Sequence, residues 1–178
     1  MRISRMAGIA AATTALVAAA AVPAAADTTA STTTTFAVTA AELAITAPTT
    51  ATLPDATPGG STSGALGTVS VTDGRAALDA SWVATATLDA PFTTGTGTTP
   101  ETIPAANVTY DPGAAIDPTP PGEFTPGSPG TLDSPVTAMS HTTGSGANSV
   151  SWNPTLTIAV PSGAVAGTYT GTVVHSVA

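Results

Sequence analysis

Cysteine and lysine are missing from the chain altogether, and each absence removes a class of explanation. An exported domain without cysteine has no disulfide to brace it and must stand on its core and its backbone ladders. A lipoprotein anchor, attached through a cysteine at the cleavage site, is excluded with it. Without lysine there is no amine for an isopeptide crosslink or for sortase-type pilin joining. Positive charge is scarce: three arginines stand against 11 acidic residues, for a formal net charge of −8. Nucleic acid, heparin-like polymers and anionic lipid headgroups are held by patches of Lys and Arg, so none of them is expected as a partner. Long hydrophobic runs are also missing, with one exception at the start.

That exception covers residues 6–22, which are Ala-rich and lie between the basic "MRISR" and "VPAAAD". A positive n-region, an apolar h-region and a small-residue Ala24-x-Ala26 site make a Sec-type signal peptide over residues 1–26, cut before Asp27. An uncleaved anchor is the weaker reading, because the run falls short of the roughly 20 residues that cross a bilayer. Arg2 and Arg5 are not adjacent and so do not form a twin-arginine signal. Both leave with the peptide, which makes the charge two units more negative and leaves Arg75 as the single cation besides His141 and His175. Roughly 150 residues remain, enough for one domain with a core. No second apolar span and no sortase-like motif follows. The mature chain is expected to be secreted, with no membrane span and no covalent handle.

Residues 27–35, "DTTASTTTT", are low-complexity and are expected to form a flexible leader. From residue 36 on, short runs rich in Val and Thr alternate with turn residues, which is how strands are written. "FAVTA" and "ELAIT" come first, then "LGTVSVTD" with Val69 and Val71 on one face. "ASWVATATL" puts Trp82, Ala84, Ala86 and Leu88 on one face, and "NVTY" runs into a "DPG" turn. Asp111 to Pro135 is dense in Pro and Gly; a proline has no N–H to give a ladder, so this reads as a long surface loop. In "VSWNPTLTIAV", Val150, Trp152, Pro154, Leu156, Ile158 and Val160 keep a period of two, with Pro154 pointing to an edge or a bulge. "TYTGTVVHSV" sets Tyr169, Val173, His175 and Val177 on one face and is expected to form an antiparallel hairpin with the strand before it. No apolar period of 3.6 with helical length follows the signal peptide. The expected class is therefore all-β, an Ig-like antiparallel β-sandwich carrying one long Pro/Gly-rich loop.

Catalysis finds little support. No serine stands in Gly-x-Ser-x-Gly and neither histidine has a motif partner, so no catalytic residue is assigned and no enzyme is expected. Two histidines without cysteine or a His-x-x-x-His spacing do not make a zinc site, and the scattered acids lack the spacing of a calcium loop. No metal or cofactor is expected. A Thr-rich ice-binding face would need a fixed repeat, and there is none. Asp73-Gly74-Arg75 reads as a turn with Gly74 suited to positive φ, and Arg75 as an exposed partner of Asp73 or Asp79 contributing about 0–1 kcal/mol. His141, in the polar "SHTTGSG", reads as a solvated loop residue. Four ligand-binding candidates remain: Trp82, Trp152, Tyr169 and His175. Aromatic faces pack on the apolar faces of sugars, but both tryptophans sit on the apolar phase of their strands, where the simpler role is core. The Tyr169 hydroxyl favours a rim position. His175 shares its face with Tyr169 and Val173, where a packed role competes with a ligand-binding one.

Three stretches taken together, "LGTVSVTDGRAALDASWVATAT", "IPAANVTYDPG" and "SWNPTLTIAVPSGAVAGTYTGTVVHSVA", resemble a WxL-type domain in the divergent form of secreted actinobacterial proteins, over residues 36–178. Members have two Trp-x-Leu motifs, the second in the terminal strand after a Tyr-Thr-rich run. Here the first reads Trp82-Val83-Ala84, keeping the tryptophan and not the leucine, and His175-Ser176-Val177 stands at the second. The resemblance implies a domain seated non-covalently on the Gram-positive cell wall, with cell-wall glycan or peptidoglycan as its partner. Two other readings stand beside it. One is an interaction module that pairs with another cell-surface protein by β-strand addition along its Thr/Val-rich terminal strand. The other is a freely secreted β-sandwich with an unknown ligand.

Overall fold

Alternating apolar and hydroxyl side chains can bury one face only as strands, and strands are what most of this chain forms. The computed structural model describes residues 29–178, and the chain divides into two units, Met1–Ala37 and Val38–Ala178. The signal peptide expected over residues 1–26 lies outside the described residues, as do residues 27 and 28. Residues 29–37 of the first unit form no regular structure and are exposed. Among the described residues, no helix is long and apolar enough to cross a membrane.

The second unit holds β1 (Leu43–Thr46), β2 (Ser61–Ala65), β3 (Val69–Asp73), β4 (Trp82–Thr93), β5 (Thr102–Ile103), β6 (Val108–Asp111) and β7 (Ile116–Thr119). It continues with β8 (Glu123–Pro126), β9 (Gly130–Thr131), β10 (Val136–Thr142), β11 (Asn148–Trp152), β12 (Thr155–Ala159) and β13 (Thr170–Val177). Every pairing is antiparallel, in three sheets ordered β1-β3-β11-β7, β2-β12-β6-β9 and β13-β4-β10-β8, with β5 beside β4. The first two sheets run into one another. β2 continues into β3 and β11 into β12, and the Leu66 N–H donates to the Pro154 carbonyl across the join at 2.8 Å. They make one bent layer, and the β13-β4-β10-β8 sheet is the other. The fold is an all-β antiparallel sandwich, the class expected.

Between the layers lie Val69, Val71, Trp82, Ala84, Tyr110, Val150, Trp152 and Leu156, each no more than 2% exposed. Burying a side chain of Val or Leu size contributes about 1.5–3 kcal/mol, and this interface is what stands in for the missing disulfides. On the outward faces, hydroxyls pair across strands instead: Ser63 with Thr157, Ser70 with Ser151 and Thr85 with Ser176, at 2.7–2.9 Å.

Several expectations are corrected. "FAVTA" forms no strand; Phe36 and Val38 are 88% and 77% exposed. The apolar alternation of residues 150–160 is two strands in two sheets, broken at Asn153-Pro154. The expected terminal hairpin does not form: β12 pairs with β2 and β6, and β13 pairs with β4 in the opposite layer. Nor is the stretch from Asp111 to Pro135 a bare loop. It supplies β7, β8 and β9, one edge strand to each of the three sheets, because an edge needs N–H groups on one side only and so tolerates proline. Gly74 does not take positive φ, which falls on Ala76 (φ 50°). A Cβ on Gly74 would stand 2.7 Å from that of Ala41, so glycine is needed there for close approach.

Candidate functional site

Two polar and aromatic clusters interrupt the apolar interface, and only the second borders a cleft. The first lies where β4 and β11 begin. Asp73, closing β3, is fully buried, and its carboxylate accepts from Arg75 Nε at 2.9 Å, Arg75 Nη2 at 2.8 Å and the Arg75 backbone N–H at 2.9 Å. Those bonds from Arg75 hold the Asp73 carboxyl below its usual range against the opposing pull of burial. The pair is thus not the loose surface contact expected. A charge-assisted bond of this kind contributes about 1.5–3 kcal/mol, although the Arg75 side chain stays 35% exposed, which keeps the value at the low end. Asn148 Nδ2 lies 3.4 Å from the same carboxylate, and Asn148 Oδ1 accepts from Trp82 Nε1 at 2.9 Å.

Trp82 then stacks on His141, with ring centroids 5.7 Å apart, and Phe124 covers the imidazole from 4.6 Å. His141 is not a solvated loop residue: it lies in β10 with no exposure. The reason is a bulge between Thr137 and Met139, where β10 gains one residue against β4. Ala138 and Met139 therefore both point inward, and the phase flips so that His141 follows them. Each of its nitrogens sits 2.9 Å from a backbone carbonyl, Nδ1 at Ala80 and Nε2 at Pro121. In this cluster the Asp73, Asn148 and His141 side chains are buried and committed to the protein, and the Arg75 guanidinium alone reaches solvent.

The second cluster lies where β11 ends. Trp152 Nε1 donates to the Tyr110 hydroxyl at 3.0 Å, and that oxygen is 3.2 Å from Nε2 of His175 on β13. An indole N–H can only donate, so the Tyr110 oxygen accepts from it. Every buried hydrogen is satisfied when Tyr110 passes its own proton toward His175 Nε2 and the imidazole carries its hydrogen on Nδ1. Burial pushes Tyr110 up to about 12 and pushes His175 below its ordinary value, so near neutral pH the tyrosine is protonated and the ring is neutral. Nδ1 has no bonding partner among the described residues, and no buried side-chain polar atom among them is left unpaired, so this N–H is open to solvent.

His175 also lines a cleft of about 320 Å³ between residues 47–53 and residues 170–175 of β13. Phe92, Leu53, Leu66 and Leu156 supply the apolar surface, while Thr49, Thr50, Thr170 and Thr172 supply hydroxyls. The lining contains no acid, no Lys or Arg, and no serine. Irregular pairing of β13 with β4 around Gly171 shapes this wall. A Cβ there would stand 2.8 Å from the Phe92 ring, so any larger residue has to displace that ring.

Of the four candidate residues, the structure joins Trp152 and His175 through Tyr110 and keeps the other two apart. Trp82 and Trp152 are 2% and 0% exposed, so neither ring has a face open to a ligand. Tyr169 is half-buried, and its hydroxyl lies 3.1 Å from the Pro100 carbonyl and 3.0 Å from that of Val165, tying down the connection before β13. Only His175 reaches the cleft. Tyr110, Phe92 and the threonines were not singled out in the sequence. The inward phase of Tyr110 beside Val108 was legible, but the cleft walls come from segments more than 100 residues apart. Comparison with family models, with curated proteins and with solved structures finds no match for this chain.

Proposed function

We propose that the chain is an exported, non-catalytic binding module that holds itself on the cell wall by direct contact with the neutral sugar portion of peptidoglycan. The observation that carries this is the chemistry of the cleft, an uncharged pocket of hydroxyls, one phenyl ring and one imidazole N–H in an otherwise acidic protein. Sugars offer apolar C–H faces and neutral hydroxyl or amide groups, which is what such a lining complements. Attraction to anionic wall polymers is not available to it, since Arg75 is committed to Asp73. Its volume lies at the low end for small-ligand pockets and fits one or two sugar units. A binder is favoured over a catalyst because no carboxylate or serine lines the cleft beside His175. The WxL resemblance points the same way.

The test is co-sedimentation of the chain starting at Asp27 with purified sacculi, in high salt and with chelator. Retention under both conditions is expected, and Thr50→Arg, an exposed change at the rim, should lower it about tenfold while leaving the unfolding midpoint unchanged. Protein that stays wholly in the supernatant, or that is released by the chelator, would overturn direct sugar contact.

A further inference from the structure

Among the described residues the longest sheet edge is unguarded. There β13 pairs with β4 on one side only, leaving the other side of Thr170–Val177 without a partner among them. Sheet edges are normally protected by charge, proline or shortness. The others here follow that rule: β7 carries Asp117 and Pro118, β8 carries Glu123 and Pro126, and β1, β2, β5 and β9 have five residues or fewer. β13 has eight residues, no charge and no proline. Beyond Gly171 its inward residues Val173 and Val177 are only partly buried, as are Leu43 and Ile45 on β1 in the opposite layer. An apolar seam between the layers is thus left incompletely covered along this edge.

The same chain carries a segment with the complementary properties. "FAVTA", Phe36–Ala40, has strand composition and period-two alternation, has no charge, and is unpaired among the described residues, with Phe36 and Val38 largely exposed. An isolated strand of this kind is stabilised by adding to a sheet edge. We propose that Phe36–Ala40 of one copy adds to β13 of a second copy, alongside Val173–Val177, with Phe36 and Val38 turned into the seam. Elsewhere two copies of so acidic a chain repel; here both partners are neutral. The contact is between unlike surfaces, so it closes as a reciprocal dimer or continues as a head-to-tail chain. It shares Val173 and His175 with the cleft wall, but it is read by mass and amide protection without sugar, so its failure and that of the wall-binding reading are told apart.

The test is light scattering on the chain from Asp27 between about 1 μM and about 1 mM, with amide exchange measured at both extremes. The mass should rise from one chain to two or more, with the edge-facing β13 amides, those not bonded to β4, protected only in the associated form. Phe36→Asp with Val38→Asp, and separately Val174→Lys on the edge, should each weaken association at least about tenfold. Their unfolding midpoints should be unchanged, because all three positions are exposed. A chain that stays monomeric throughout overturns the proposal, as does association indifferent to both sets of changes. So does a monomer whose β13 edge is already protected, which would mean that the segment docks on its own molecule.

Discussion

The sandwich contains two histidines and two tryptophans, and it distributes them one of each to two regions with opposite properties. Around His141 the ring is stacked on Trp82, capped by Phe124 and held at both nitrogens by backbone carbonyls. Around His175 the ring meets Tyr110 at one nitrogen, with Trp152 behind it, and the other nitrogen is open to solvent. The residue types match, but the number of unfilled bonding positions does not. A closed polar cluster fixes how strands register, whereas one with a spare donor beside a cleft is equipped to recognise something else. Substitutions should separate the two regions, because the first acts on folding and the second on binding.

The largest expected difference is in stability. His141→Ala removes a fully buried ring and the hydrogen bonding it offers beside the Ala80 and Pro121 carbonyls, at a cost of about 3 kcal/mol. His175→Ala opens onto a cleft where water can reach Tyr110, so about 1 kcal/mol is expected. Chemical denaturation of the two variants measures the gap through the shift in midpoint at constant slope. Equal losses would mean that the cleft histidine is as structural as the core one, and the distinction would fail.

His141 also marks where reading the chain stops being enough. The period of two in β3, β4 and β11 was visible because each strand keeps its phase, so Val69, Trp82 and Val150 could be placed inward from spacing alone. β10 changes phase at Ala138, and a bulge of one residue leaves no compositional trace. The proline-rich stretch misled for a related reason. Proline excludes a central strand but not an edge, and whether an edge is available depends on sheets assembled from distant segments. The same holds for β13: its alternation was legible, its partner was not, because the choice between β12 and β4 is made by packing of whole layers. The cleft was least legible of all, since its two walls meet only once the sandwich has closed.

Acid should distinguish the regions by pH rather than by residue. Burial lowers the folded value of His175 below the 6.5 of the free side chain, so the unfolded chain takes up the proton first. Its contribution is therefore complete above 6.5 and declines as pH falls through the window just below. No acid lines the cleft to offset this. Asp73 is depressed below 3.8 by Arg75, so its contribution is complete above 3.8 and is lost as pH falls further toward the folded value. Asp79 and Glu101, held low by bonds from Ser81 and Thr98, decline in that same acid range. Stability against pH should thus fall in two separate steps, and His175→Gln should erase the upper one alone. A single acid step in the unmodified protein would remove the case for a desolvated His175.

The smallest effect is expected at Gly171, where the cleft wall and the sheet meet. Alanine there would place its Cβ 2.8 Å from the Phe92 ring. Phe92 is only partly buried and has the cleft to move into, so the ring can swing aside and the strain should stay near 1 kcal/mol. The cleft would pay for that movement in shape, since the displaced ring occupies the space proposed for a sugar. Gly171→Ala is therefore expected to shift the unfolding midpoint slightly and to lower retention on sacculi severalfold. The His141 region supplies the control, because a variant destabilised there by the same amount should keep its retention. Should Gly171→Ala bind as well as the unmodified chain, the wall contact would have to lie elsewhere on the surface.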